Sequence, residues 1–261
     1  MQGLIIFIIA VAILAFFLFR KKAPRVIDVI LPENYRAILT QYVAYYRLLP
    51  ADKQLRFEQK LRNFLSYVRI HGVKNEVSDT DRLLVAASAV IPIFGFDDWH
   101  YYNLDDILLY TDTFNPDNYT TEGADRNVLG MVGSGTLKRM MILSKTALYQ
   151  GFQNESDKNN TAIHEFVHLL DMADGVADGV PEALLSRQYV IPWLQLIHQS
   201  IREIMDHHSD INPYGATNEA EFFAVASEYF FERPDLLQEK HPELFRLMEQ
   251  VFKQEPATIR R

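Results

Sequence analysis

Thr161-Ala-Ile-His164-Glu165-Phe-Val-His168-Leu-Leu-Asp171 is the stretch from which the rest of the chain can be placed. Two histidines stand four residues apart, and a glutamate directly follows the first. At 3.6 residues per turn, positions i and i+4 share a helix face, so both imidazoles can reach one ion. Glu165 lies roughly a quarter turn away, placed to lean over a bound water rather than to act as a ligand. Phe166, Val167, Leu169 and Leu170 predict a buried helix, in which two imidazoles and a carboxylate are costly without a partner. His-Glu-x-x-His is the helix signature of zinc hydrolases, with the glutamate as general base. The competing reading is a chance match, with one surface histidine and one satisfied core histidine.

Composition narrows the choice. The chain has 261 residues, 48% hydrophobic and 23% charged, which is ordinary for a globular protein with a sizeable core. A net charge of −8 and the lack of any basic stripe beyond the N-terminal region argue against nucleic acid as a partner. With no cysteine, disulfides, thiolate catalysis and Cys-ligated zinc are excluded.

Gly3 to Phe19 is an uncharged apolar run of seventeen residues, followed at once by Arg20, Lys21 and Lys22. As a helix it rises about 25 Å, at the short end for a membrane span. It lacks the leading basic region and small-residue cleavage site of a signal peptide. The reading is a single-pass anchor, with the basic flank and everything after it in the cytoplasm.

Ala23 to Pro32 reads as a linker, and Glu33 to Leu48 as a helix. Lys53 to Ile70 reads as a helix with Leu55, Phe57, Leu61 and Phe64 on its apolar side. Ser78-Asp79-Thr80-Asp81 reads as the N-cap of a buried helix from Arg82 to Val90, ended or kinked at Ile91-Pro92. Asp106–Tyr110 and Arg139–Leu143 are strand candidates. Phe114–Asp125 reads as a surface loop, and the glycines from Gly130 to Gly135 as a hairpin turn, since their spacing fits no phosphate loop. A helical stretch is expected from Pro181 to Asp206, broken or kinked at Pro192. His100, among aromatics, and the adjacent His207 and His208 read as structural or solvated.

A catalytic zinc site wants a third protein ligand. Asp174, six residues after His168, is a weak candidate because Asp171 stands where that class carries a turn glycine. Asp171, seven residues after His164, returns to the histidine face and could orient an imidazole as a hydrogen-bond acceptor. Glu221 and Glu228 are seven apart in a second apolar helix and share a face, while Glu219 lies off it. Glu221 fits as ligand, with a capping box with Asn218 as its competing reading, and Glu228 is the rival ligand or a residue that supports one.

HEFVHLLDMADG followed by YGATNEAEFFAVASEYFF resembles the Mlc titration factor A family of bacterial zinc peptidases. LLVAASAV, ILLYTDTF and MMILS look like the same family, so the similarity covers most of the chain from about Leu31. Tyr214-x6-Glu221-Phe-Phe-Ala is also similar to lethal-factor-type zinc proteases. The resemblance implies Glu221 as third zinc ligand beside His164 and His168, and Tyr214 as an aid to the transition state. It also implies a partner, since the best-known members bind a transcriptional repressor. Those members are soluble and cytosolic, so the apolar N-terminal run is a departure from the pattern.

The expectation is therefore an α+β, mostly α fold: a zincin-like metallopeptidase domain with a small sheet, preceded by one transmembrane helix. Residues 1–22 form the anchor, 23–32 the linker and 33–255 the domain, with 33–98 a helical subdomain and 99–255 carrying the metal site. The expected function is zinc-dependent peptide hydrolysis at the cytoplasmic face of the inner membrane, with Glu165 and Tyr214 catalytic. Two alternatives stand beside it: a tethered non-catalytic regulator that binds a repressor or other protein, and a hydrolase of non-peptide amides. A Met140–Leu143 strand edge is expected to receive an extended peptide.

Overall fold

The computed structural model describes residues 29–113, 129–132, 138–154 and 157–256. The apolar N-terminal run, the Phe114–Asp125 loop and the glycines at 133 and 135 lie outside the described residues. No helix among the described residues is long and apolar enough to cross a membrane.

Three helices open the described chain: α1 (Tyr35–Tyr42), α2 (Ala44–Arg47) and α3 (Ala51–Tyr67). Strand β1 (Arg69–Val73) follows, so α3 stops three residues before Ile70. The cause is the β-branched run Val68, Ile70, Val73, which packs better on a pleated sheet than on a helix. Phe57, Leu61 and Phe64 are buried as expected, but Leu55 is 51% exposed. Leu31, at the end of the expected linker, is already part of the core.

Helix α4 (Asp79–Ile93) begins with a full capping box: the Ser78 side chain accepts the Asp81 N–H, and the Asp81 carboxylate accepts the Ser78 N–H. Pro92 falls in its last turn, and the helix ends one residue later, at Ile93. Every residue from Leu83 to Ile93 is buried, so α4 is the central post of the molecule.

Strands β2 (Asp106–Tyr110), β3 (Gly130–Val132) and β4 (Met140–Ser144) complete a sheet of order β1-β2-β4-β3. The pairs β1–β2 and β2–β4 are parallel, whereas β3 runs antiparallel to β4. This corrects two expectations. Gly130 to Val132 is strand rather than turn, and β4 is paired on both sides, so β3 takes the terminal place instead of Met140–Leu143.

Helix α5 (Lys145–Gln153) leads to α6 (Thr161–Asp171), which carries the histidine pair, and a short 3-10 turn extends it over Met172–Asp174. Phe64 of α3 and Tyr101 hold the core side of α6 by packing on Phe166, with ring centroids 5.6 and 5.4 Å away. Burying one such side chain contributes roughly 1.5–3 kcal/mol. Helix α7 (Val190–Met205) starts nine residues later than Pro181. Pro192 therefore sits in its first turn, where no backbone N–H is needed, and breaks nothing. Helices α8 (Glu219–Glu232), α9 (Pro234–Lys240) and α10 (Pro242–Phe252) close the chain. One hydrophobic core runs from Leu31 to Phe252. The fold is α+β, mostly helical, around a four-stranded sheet.

Candidate metal centre

Helix α6 is aimed by the residue that caps it. Asn160, fully buried, caps it by accepting the Ile163 N–H through Oδ1. Its side-chain amide donates to the Gly151 carbonyl and to Glu232 of α8, both at 3.1 Å. Its backbone N–H donates to Glu228 Oε2 at 2.5 Å. The start of α6 is thus tied to α8 through two glutamates.

That docking brings three side chains to one point. His164 Nε2 lies 3.0 Å from His168 Nε2 and 3.0 Å from Glu221 Oε2, and His168 Nε2 lies 3.3 Å from the same oxygen. A tetrahedral ion with bonds of about 2.0–2.1 Å separates its ligand atoms by about 3.3 Å. Two imidazole nitrogens and a carboxylate oxygen at these spacings fit a divalent transition metal. Among the described residues this is the one such group of three donors.

Glu221 is engaged at both its backbone and its carboxylate. Asn218 Oδ1 accepts the Glu221 N–H at 2.9 Å and caps α8, while the Glu221 carboxylate goes to the histidines. Glu228, the rival on the same face, stands behind His164 and meets its Nδ1 at 2.7 Å. Holding Nδ1 leaves Nε2 directed at the cluster, as metal-ligating histidines need. Glu219 turns away to His198 at 3.1 Å.

The surroundings are strongly electrostatic. Burial alone would lower the His164 imidazolium, but Glu221 and Glu228 hold it up to about 10. Burial works to raise Glu221, yet its bonds to His164 and His168 bring it down to about 2. Glu165 is buried, and that burial pushes its carboxyl above the usual range despite the nearby histidines. A carboxylate raised in this way is a better proton acceptor near neutral pH. Glu165 lies against β3: a Cβ on Gly130 would stand 2.6 Å from its Cγ. The strand can approach the general-base candidate only because that position is glycine.

Tyr214, in a 3-10 turn over Pro213–Ala216, is 54% exposed with its ring 6.0 Å from that of His164. Burial of its phenol, then the charges of Glu221 and Glu165, raises its pKa. Residues of β3, α6, Tyr214 and the first turn of α8 line a cleft of about 490 Å³.

The other candidates fall elsewhere. Asp171 hydrogen-bonds neither imidazole. Its Oδ2 accepts the Gly179 N–H at 2.9 Å, and burial pushes its carboxyl up to about 6. Helical spacing put Asp171 on the histidine face, but the returning loop claims its carboxylate. Asp174 accepts the Val176 N–H. His100 stacks on Tyr67 with ring centroids 3.7 Å apart. His207 and His208 are exposed beyond α7. Sequence reasoning missed Gly130 and the linking role of Asn160. No local signal marked the first, and the second depends on how α8 docks against the start of α6.

Comparison with known proteins gives consistent results. The sequence profile of the glucose-regulated metallo-peptidase M90 family matches residues 18–253. The protein slr2042 of Synechocystis sp. is 31% identical over 238 residues, covering 87% of this chain and 86% of that protein. Proteins named Mlc titration factor A also match. The one from Salmonella arizonae is 27% identical over 80% of this chain and 86% of its own length. The one from Pectobacterium atrosepticum is 35% identical over 37% of this chain and 39% of its own length.

Proposed function

The chain belongs to the glucose-regulated metallo-peptidase M90 family, and we propose that it is a zinc-dependent peptidase tethered to the membrane with its active site in the cytoplasm. The observation that carries the reading is the convergence of His164, His168 and Glu221 donors at 3.0–3.3 Å beside a buried Glu165. Two imidazoles and one carboxylate leave a tetrahedral ion one open position, the arrangement of hydrolytic rather than structural zinc.

When bound, zinc supplies Lewis acidity toward a carbonyl and acidifies a water. The chain's residues do the rest. Glu165, held against Gly130 and raised by burial, takes the proton of the attacking water and returns it to the leaving amine. Tyr214 presents a neutral phenol at the cleft, a donor for the developing oxyanion. Glu228 keeps His164 in the orientation that points Nε2 at the site. An extended peptide laid along β3, the terminal strand beside Glu165, passes its backbone over the site by strand addition.

The tether rests on the uncharged run Gly3–Phe19 and the basic Arg20-Lys21-Lys22 behind it. The relatives' name, Mlc titration factor A, motivates a regulatory protein partner as the second reading. Intact chain in detergent, incubated with a peptide library, tests the first. Cleavage that a chelator abolishes and zinc restores is the expected result. No cleavage after zinc loading, or cleavage indifferent to chelator, overturns it. Alkaline extraction of membranes tests the tether: the chain stays in the pellet if anchored and is released if not.

A further inference from the structure

We propose that Asp171 and Gly179 form a clamp that sets the spacing between the two ligand-bearing helices, an inference that rests on the metal reading above. Asp171 is the last residue of α6, three beyond His168, and is fully buried. Through Oδ2 it holds the Gly179 N–H at 2.9 Å, across the loop that leaves the helix. Gly179 has φ +74°, and a Cβ there would stand 2.3 Å from the Glu219 carbonyl oxygen and 2.9 Å from the Ala220 nitrogen. The loop backbone therefore rests directly on the first turn of α8, two residues before Glu221. From the third side, the Gly179 carbonyl accepts the Trp193 indole N–H at 2.7 Å. Trp193 belongs to α7, is fully buried, and meets Phe223 of α8 edge-on with centroids 5.6 Å apart.

One glycine is thus gripped by α6 through its N–H, by α7 through its carbonyl, and by α8 through close backbone packing. Pushing this residue outward by a methyl group, or releasing its N–H, shifts α8 against α6. Glu221 then moves relative to His164 and His168. Metal–ligand bonds hold to within about 0.2 Å, so a shift of a few tenths of an ångström is felt. Asp171 touches neither imidazole and acts only through this spacing, which makes it a positioning residue. Its second oxygen, Oδ1, has no hydrogen-bond partner among the described residues. The one acceptor bond to Gly179 is what a substitution removes.

Zinc competition against a chromophoric chelator, on intact chain in detergent, tests the clamp. Asp171→Leu is expected to lose about 10–100-fold in zinc affinity and to change the visible spectrum of the cobalt(II) form. Asp171→Asn keeps a carbonyl acceptor for the Gly179 N–H and is expected to stay within about threefold of the parent. Gly179→Ala, acting from the other end, is expected to match Asp171→Leu, with helix content by circular dichroism at the parental level. Folded Asp171→Leu or Gly179→Ala with parental zinc affinity and cobalt spectrum overturns the clamp alone. A parent that binds neither metal overturns the metal reading and the clamp together. Should Asp171→Leu fail to fold, Gly179→Ala against Asp171→Asn decides by the same titration.

Discussion

Two knots of charge tie helices together in this molecule, one around Glu221 and one around Asp210, and they are balanced in opposite ways. Asp210 accepts from Lys158 at 2.9 Å, Lys240 at 3.0 Å, His241 at 2.8 Å and the Tyr229 hydroxyl at 2.9 Å. Burial would raise its carboxyl, but those donors hold it well below the usual carboxylate range. The Glu221 knot gathers three carboxylates, Glu165, Glu221 and Glu228, around two imidazoles. Among the described residues no lysine or arginine pairs with any of the three. The first knot is closed by lysines and a histidine of the protein itself; in the proposed function the second holds a metal ion between His164, His168 and Glu221.

The largest effect that separates the knots is expected from Glu165→Gln, with turnover falling about 10²–10⁴-fold while zinc content and melting temperature stay parental. Steady-state peptide cleavage beside metal analysis checks this, and retained turnover removes Glu165 as proton acceptor. Next comes Glu228→Ala, which frees His164 Nδ1 and is expected to weaken zinc by about 10–100-fold in chelator competition. Asp210→Ala is the mirror experiment. It leaves two ammonium groups facing each other and lowers stability in urea by about 1–3 kcal/mol, with zinc stoichiometry unchanged. Metal loss in that variant would mean that the two knots are not independent.

The smallest effect is in pH dependence. The Asp210 carboxyl is depressed in the folded chain, so the unfolded chain takes up its proton first as pH falls. Its stabilisation is complete above about pH 5, past the ordinary aspartate range, and is lost as pH falls through the folded value. Between about pH 5 and 3 the urea midpoint of Asp210→Asn is therefore expected to drop less steeply than the parent's. Parallel curves would detach Asp210 from the acid transition.

What was legible in the sequence was local. The shared face of His164 and His168, with Glu165 beside it, follows from helical spacing alone, and the cap before α4 from the four polar residues Ser78 to Asp81. Glu221 and Glu228 were identified as sharing a face, but their division of labour depends on how α8 docks on α6, which no spacing records. Short strands were poorly legible. In β1, Arg69 and His71 are polar because they pair with Asp106 on the neighbouring strand, so only Ile70 of the first three residues reads as apolar. Strand β3 is three residues long and begins with glycine, a turn signal by composition. The pairing of β3 with β4 is a long-range fact, and so Met140–Leu143 was expected at an edge that β3 covers. For Asp171 too, periodicity gives its place on the helix but not the loop that brings the Gly179 N–H to its carboxylate.

The most direct test of the account is zinc content per chain in the intact protein and in Glu221→Ala, with Asp210→Ala as the contrasting variant. The account predicts about one zinc per chain in the parent, none retained in Glu221→Ala, and the parental amount in Asp210→Ala. A parent that stays free of metal after reconstitution, or a Glu221→Ala chain that keeps its zinc, contradicts it.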